Sequence, residues 1–216
     1  MRLTRLAGAV TLGYLAGTFP TADLVARRVS GGTVDLRAAG TGNPGGANAA
    51  KLLGAKAGSA VMAGDVAKGA LASGIGAAVA GPLGAHLAGT ASVIGHCFPV
   101  WNGFRGGKGV AASVGQCLAT FPAYFPIDLG VAAITASSPR WRQRAFAATL
   151  ASSTAWVIGG LVWWRRRWPN LWGPTPSPAL PAAALVSSGV IAWKFATARP
   201  PTPSPSRAAT VEAAAA

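Results

Sequence analysis

Two glycine-rich stretches carry the residue types and spacing that hold anions. In residues 105–109, RGGKG, Arg105 and Lys108 stand among Gly106, Gly107 and Gly109, directly before an apolar, helix-like segment that starts at Val110. Glycines let backbone N–H groups converge, and the start of a helix adds partial positive charge there. Two cations at the same place make phosphate the natural ligand. The second stretch, residues 40–48, GTGNPGGAN, precedes a short helix-like run that ends at Leu53. Gly40, Gly42 and Gly45 shape that turn, and Arg37, Thr41, Asn43, Asn48 and Lys51 supply donors around it.

Neither stretch matches a nucleotide fold. Gly40, Gly42 and Gly45 satisfy the dinucleotide fingerprint by letter, but the acid at the expected distance, Asp65, lies in an apolar helical segment with no strand–helix–strand pattern around it. The 105–109 loop is not a Walker A loop, because Asn102 stands at the first glycine and Gly109 where Ser or Thr would hold magnesium. No Ser-His-Asp set, paired carboxylates or metal-ligand cluster is present, so no metal and no cofactor is expected. Chemistry here must rest on binding, positioning and electrostatics.

The elements that position these loops are membrane helices. The chain of 216 residues is 51% hydrophobic and 11% charged, where a soluble domain carries about 25% charged residues. Uncharged or nearly uncharged runs fill 6–26, 69–104, 109–139, 145–164 and 168–193, and about 20 apolar residues cross a bilayer. The expected fold is all-α: a polytopic integral membrane helix bundle of about six or seven membrane helices with cytoplasmic glycine-rich loops. It forms one domain over 1–198, followed by a Pro- and Ala-rich tail, 199–216, expected to be disordered. The net charge of +14 flanks the spans, so it reads as headgroup contact and topology, with the lipid bilayer as partner and no nucleic acid.

Taken in order, the first span covers 6–26, with a bend at Pro20 and a polar edge at Asp23. The basic segment 27–56 is placed in the cytoplasm by the positive-inside rule, against Arg2 and Arg5 at the other end of that span. A helix over 57–80 carries Asp65 and Lys68 on one face, where they neutralise each other. Pro82 and Gly84 break the chain before a span over 85–100. Helices over 110–120, 126–137, 145–164 and 182–197 follow, with Trp163, Trp164, Trp168 and Trp172 as an interfacial belt and 169–181 as a surface loop. Cys97 and Cys117 read as small buried residues. His96, beside the Gly-Lys loop, is expected to hold one fixed partner and cross-link helices. With Asp65 and Lys68 it forms a candidate support for the loop.

In GTFPTADLVAR, DLRAAGTGNPGGANAAKLLGAKAG, GDVAKG and ASVIGHCFPVWNGFRGGKGVAASVG, spread in order over about residues 12–122, the chain resembles the bacterial acyl-phosphate:glycerol-3-phosphate acyltransferases, the PlsY family. The resemblance implies a multi-pass enzyme of the bacterial inner membrane with its functional loops in the cytoplasm. It implies acyl transfer from acyl phosphate to the 1-hydroxyl of glycerol 3-phosphate, giving lysophosphatidate for phospholipid synthesis. By the same resemblance Lys108, Gly106, Gly107 and Gly109 bind phosphate, Thr41 takes the place of a serine and Lys51 that of an arginine. Thr41, Lys51 and Lys108 are then the catalytic set, with Gly40, Gly42, Asn43, Gly45, Asn48 and Arg105 completing the phosphate sites. The family's C-terminal His-x-x-Asn segment is missing, since the last span runs into WKFATARPPTP. The contrasting expectation is a non-catalytic relative that binds a phosphorylated metabolite or organises lipid-synthesis partners.

Overall fold

The computed structural model describes residues 2–141 and 143–198, and every regular element in them is helical. The helices are α1 (Arg2–Gly17), α2 (Thr21–Ser30), α3 (Gly46–Leu53), α4 (Ala55–Cys97), α5 (Val110–Thr120), α6 (Phe125–Ser137), α7 (Arg144–Arg166) and α8 (Ala179–Ala196), with a 3₁₀ turn at Val100–Asn102. Ala55–Asn102, Arg144–Arg166 and Ala179–Ala196 are long and apolar enough to cross a bilayer, and Val110–Thr120 and Phe125–Ser137 are shorter apolar helices. The tail 199–216 and Arg142 lie outside the described residues.

The first apolar run departs from expectation. Instead of one bent span over 6–26, it forms α1 and α2 with a break between them. Pro20 removes an N–H donor and pushes Phe19 out of the helical region. The Thr18 hydroxyl donates to the Leu15 carbonyl at 2.7 Å, and Pro20 becomes the cap residue of α2.

Contacts divide the chain into two compact units, one of residues up to Phe19 together with Ala63–Thr197, the other built on Pro20–Met62. In the first unit the long helix α4 turns back on itself. Ala80 (φ −138°) and Gly81 (φ +68°) leave the helical region directly before Pro82, whose ring cannot continue the hydrogen-bond ladder. A side chain on Gly76 would meet the Gly84 carbonyl, and one on Gly89 would meet Ser73. The two halves of α4 therefore pair as a hairpin at backbone contact, in a register that sets Asp65 opposite His96.

The rest of this unit packs around that hairpin. Gly69 and Gly115 let α4 and α5 touch at the backbone, since a Cβ on either would strike the carbonyl of Ala112 or Val66. One apolar cluster joins Cys117, Phe121, Tyr124, Trp156, Leu180 and Ala184. A second joins Val93, Cys97, Ala112 and Ile191, with Phe98, Val110 and Phe195 against it, and so fixes the ends of α4 and α8 to the start of α5. Between them, Gln116 donates to Thr90 at 3.1 Å and accepts from Ser187 at 2.8 Å, so three helices share one satisfied polar group.

The second unit is smaller. Ala22, Ala26, Leu36, Ala49 and Val61 form its core, joining α2, α3 and the first turns of α4. Asp23 pairs with Arg37, giving that acid a cationic partner. Gly46 and Gly58 allow α3 to lie on the start of α4, where a Cβ on Gly58 would meet Ala50.

Candidate functional site

The loop that carries Lys108 is built by hydrogen bonds back onto the end of α4. Phe104 N–H donates to the Pro99 carbonyl at 3.0 Å and Arg105 N–H to Asn102 at 3.1 Å. Gly106 N–H donates to Cys97 and Gly107 N–H to His96, both at 3.1 Å, so the loop caps the last carbonyls of that helix. Side chains at 106 or 107 would strike the His96 carbonyl, Pro99 or the His96 ring itself. These two glycines serve close approach, and their N–H groups are engaged within the fold. At the start of α5, Gly109 (φ +85°) is the cap residue and no side chain caps the helix. The first N–H groups of a helix have no partner within it and carry the positive end of its dipole.

Lys108 stands beside that helix start. Its Nζ lies 4.1 Å from the centre of the Phe195 ring, contributed by the last turn of α8. Among the described residues, no carboxylate pairs with it. Burial pulls its pKa below the ordinary lysine value. Arg105 is exposed at the other end of the loop.

Beneath the loop lies a buried charged cluster. Lys68 Nζ is 2.8 Å from Asp65 Oδ1 and donates to the Phe19 carbonyl at 3.2 Å. His96 Nδ1 is 3.6 Å from the same Asp65 oxygen, and Gly107 packs on the opposite ring nitrogen. Lys68, Asp65, His96 and Gly107 therefore form a continuous line from one half of the α4 hairpin to the loop. His96 stands as a cross-link between helices, with an acid as its partner.

In the second unit, the loop 40–48 is organised by a single buried side chain. Asn48 Oδ1 accepts from Thr41 N–H at 2.9 Å, while its Nδ2 donates to Leu36 and Ala39, both at 3.0 Å. The amide of Asn48 is thus an internal brace. Gly40 (φ +65°) lies so close to that amide that a Cβ would collide with it. Gly42 N–H donates to Ala39 and Gly45 N–H to Asn43, and Gly45 caps α3 without a side-chain hydrogen bond. Thr41 and Lys51 are exposed, and Asn43 is half-buried.

The candidate residues thus assemble in two groups. Gly40, Thr41, Gly42, Asn43, Gly45, Asn48 and Lys51 belong to one unit; Asp65, Lys68, His96, Arg105, Gly106, Gly107, Lys108 and Gly109 belong to the other. Sequence reasoning missed Phe195 and the second aromatic contact, Lys194 Nζ 5.0 Å from the Phe98 ring. Their only signal is a lysine and an aromatic at the end of the last span, which does not say what they touch.

Comparisons with known proteins agree with this architecture. The family model for glycerol-3-phosphate acyltransferase matches residues 7–198. A glycerol-3-phosphate acyltransferase of Exiguobacterium sibiricum is 43% identical over 127 residues, covering 59% of this chain and 61% of that protein. One from Rubrobacter xylanophilus is 38% identical over 159 residues, covering 70% of this chain and 75% of that protein. The chain spans about three-fifths of the length of several curated relatives, 61% and 59% in two of them. The crystal structure of PlsY, an integral membrane glycerol 3-phosphate acyltransferase, in its glycerol 3-phosphate form superposes with a TM-score of 0.68 at 27% identity, covering 90% of this chain and 94% of that one. Its lysophosphatidic acid form gives a TM-score of 0.64. With the family match extending over nearly all the described residues, the chain belongs to the glycerol-3-phosphate acyltransferase family.

Proposed function

We propose that this protein transfers an acyl group from an acyl phosphate to the 1-hydroxyl of glycerol 3-phosphate, at the cytoplasmic side of a bacterial plasma membrane. The hydroxyl oxygen attacks the acyl carbon, the bond from that carbon to the phosphate oxygen breaks, and phosphate departs with the electron pair. The hydroxyl proton passes to phosphate or water. Products are lysophosphatidate and inorganic phosphate. Because phosphate is a good leaving group, the protein needs no nucleophile of its own; it has to hold anions and stabilise charge as it develops.

The observation that carries this reading is that Lys108, which no carboxylate pairs with among the described residues, lies in the chain directly before the cap residue of α5, a helix start without a side-chain cap. Lys108 and the N–H groups that open α5 are assigned to phosphate. Gly106 and Gly107 act by seating the loop on His96. The 40–48 loop, with Thr41 and Lys51 exposed at its surface and Asn48 bracing it, is assigned to the same reaction as a second phosphate-binding element. The basic segment 27–56 supports a cytoplasmic placement of that loop.

The test is a donor comparison on purified protein with radiolabelled glycerol 3-phosphate. Palmitoyl phosphate is expected to give labelled lysophosphatidate, and palmitoyl-CoA none. Transfer from the thioester alone would reject the donor assignment.

A pH dependence follows from Lys108. The protonated amine binds the anion, and burial moves its loss of charge to lower pH than for an exposed lysine. The KM for glycerol 3-phosphate is therefore expected to rise with pH, starting below the range where ordinary lysines titrate. Lys108→Arg, whose guanidinium stays charged, should remove that rise even if kcat falls. An unchanged alkaline limb in the arginine variant would contradict the assignment.

A second reading has specific support: Thr41, Lys51 and the missing C-terminal His-x-x-Asn segment all depart from the family pattern. It makes the protein a phosphometabolite-binding relative without turnover. Threonine stiffens χ1 and lysine lacks the bidentate fork of arginine. Binding of glycerol 3-phosphate without product, with turnover gained in Thr41→Ser plus Lys51→Arg, would select it.

A further inference from the structure

We propose that Phe195 is a positioning residue for Lys108, holding the ammonium group at the start of α5 through its aromatic face; this rests on the acyl-transfer reading above. The hydrogen bonds that seat Gly106 and Gly107, the neighbours before Lys108, are made by backbone and do not fix the long, flexible lysine side chain. A half-buried ammonium gains from a partner, and a carboxylate there would neutralise the charge that an incoming phosphate requires. An aromatic face attracts the cation without cancelling it. The Phe195 ring supplies that face at 4.1 Å.

The ring is itself held. Phe146 from α7 packs against it at 5.4 Å between centroids. The cluster of Val93, Cys97, Ala112 and Ile191 ties the end of α8 to the start of α5, and Phe195 packs against it. Gly109 completes the arrangement, because a Cβ there would strike Cys97, Val93 and Ile191 and lift the loop away. The end of α8 thus acts on the site through an aromatic ring. Substrate phosphate then takes over the ammonium from a pre-set position, which lowers the entropy lost on binding.

The test compares Phe195→Leu, which keeps apolar bulk, with Phe195→Trp, which keeps an aromatic face. Loss of the face is expected to raise the KM for glycerol 3-phosphate and lower kcat/KM about three- to tenfold, with the tryptophan variant close to wild type. Wild-type kinetics in Phe195→Leu, or equal losses in both variants, would overturn the proposal. A second readout does not depend on turnover. After reductive ¹³C-methylation, the dimethyl-lysine resonance that is missing in Lys108→Arg is expected to be shifted upfield by the ring, and to return to the solvent-lysine position in Phe195→Leu. An unshifted resonance in the wild type overturns the positioning role. If the wild type shows no acyl transfer, the functional reading fails and this resonance alone decides the placement of Lys108.

Discussion

Lys108→Ala is expected to lower kcat/KM for glycerol 3-phosphate by about a hundred- to a thousandfold, the usual cost of removing one preorganised electrostatic group from a transition state. The loop that carries Lys108 is fastened to α4 through Gly106 and Gly107, not through the lysine side chain, so truncation should leave the fold in place. Steady-state kinetics together with an unchanged thermal unfolding midpoint in detergent check both halves of this expectation. Lys108→Arg should retain more activity than alanine, since it keeps charge, but less than wild type, since the larger planar guanidinium presents its charge to phosphate at a different point from a compact ammonium. A Lys108→Ala enzyme within a few-fold of wild type would mean that the start of α5 binds phosphate unaided or that the site lies elsewhere.

The largest effect on stability is expected for Asp65→Ala. Its carboxylate faces two groups, Lys68 at 2.8 Å and His96 at 3.6 Å, and all three side chains are buried. Removing it leaves the Lys68 ammonium buried with only the Phe19 carbonyl for company. Breaking a buried pair from one side typically costs about 3–5 kcal/mol, far more than the pair contributes when whole. The variant is therefore expected to unfold at a markedly lower temperature, followed by tryptophan fluorescence. Asp65→Ala combined with Lys68→Met should recover much of the loss, because no charge is then stranded. Failure of the double variant to improve on the single one would show that the acid acts chiefly through His96 and the loop it supports.

How much of this is legible in the sequence depends on the range of the interaction. Helix α5, bounded by Gly109 and Phe121, and helices α6 to α8, bounded by prolines and arginines, follow from local signals. The Asp65–Lys68 pair follows from i, i+3 spacing. Apolar length in the first run argues for one bent span, but a proline whose preceding residue is disfavoured in the helix ends a helix as readily as it bends one, and the run splits into α1 and α2. The kink in α4 falls at Ala80 and Gly81, just ahead of Pro82, since the proline acts on the residues before it.

The loops show a subtler difference. Glycine density signalled anion binding, yet at Gly106 and Gly107 the structural reason for glycine is contact with His96, and the Asn48 amide organises its own loop. Composition reports that backbone must come close to something; it does not report whether that something is a ligand or the protein. Phe195 was invisible for the same reason, since its partner is nearly ninety positions away in the chain. What no helical period can reveal is the fold-back of α4, which turns a distant histidine into the neighbour of an acid.

The most direct measurement of acyl transfer is ³¹P NMR of the purified protein in lipid nanodiscs with palmitoyl phosphate and glycerol 3-phosphate. Acyl phosphate should disappear while inorganic phosphate and lysophosphatidate grow together in equal amounts, with both signals requiring glycerol 3-phosphate and both lost in Lys108→Ala. Inorganic phosphate released without lysophosphatidate, or no change in any signal at saturating substrates, would contradict acyl transfer.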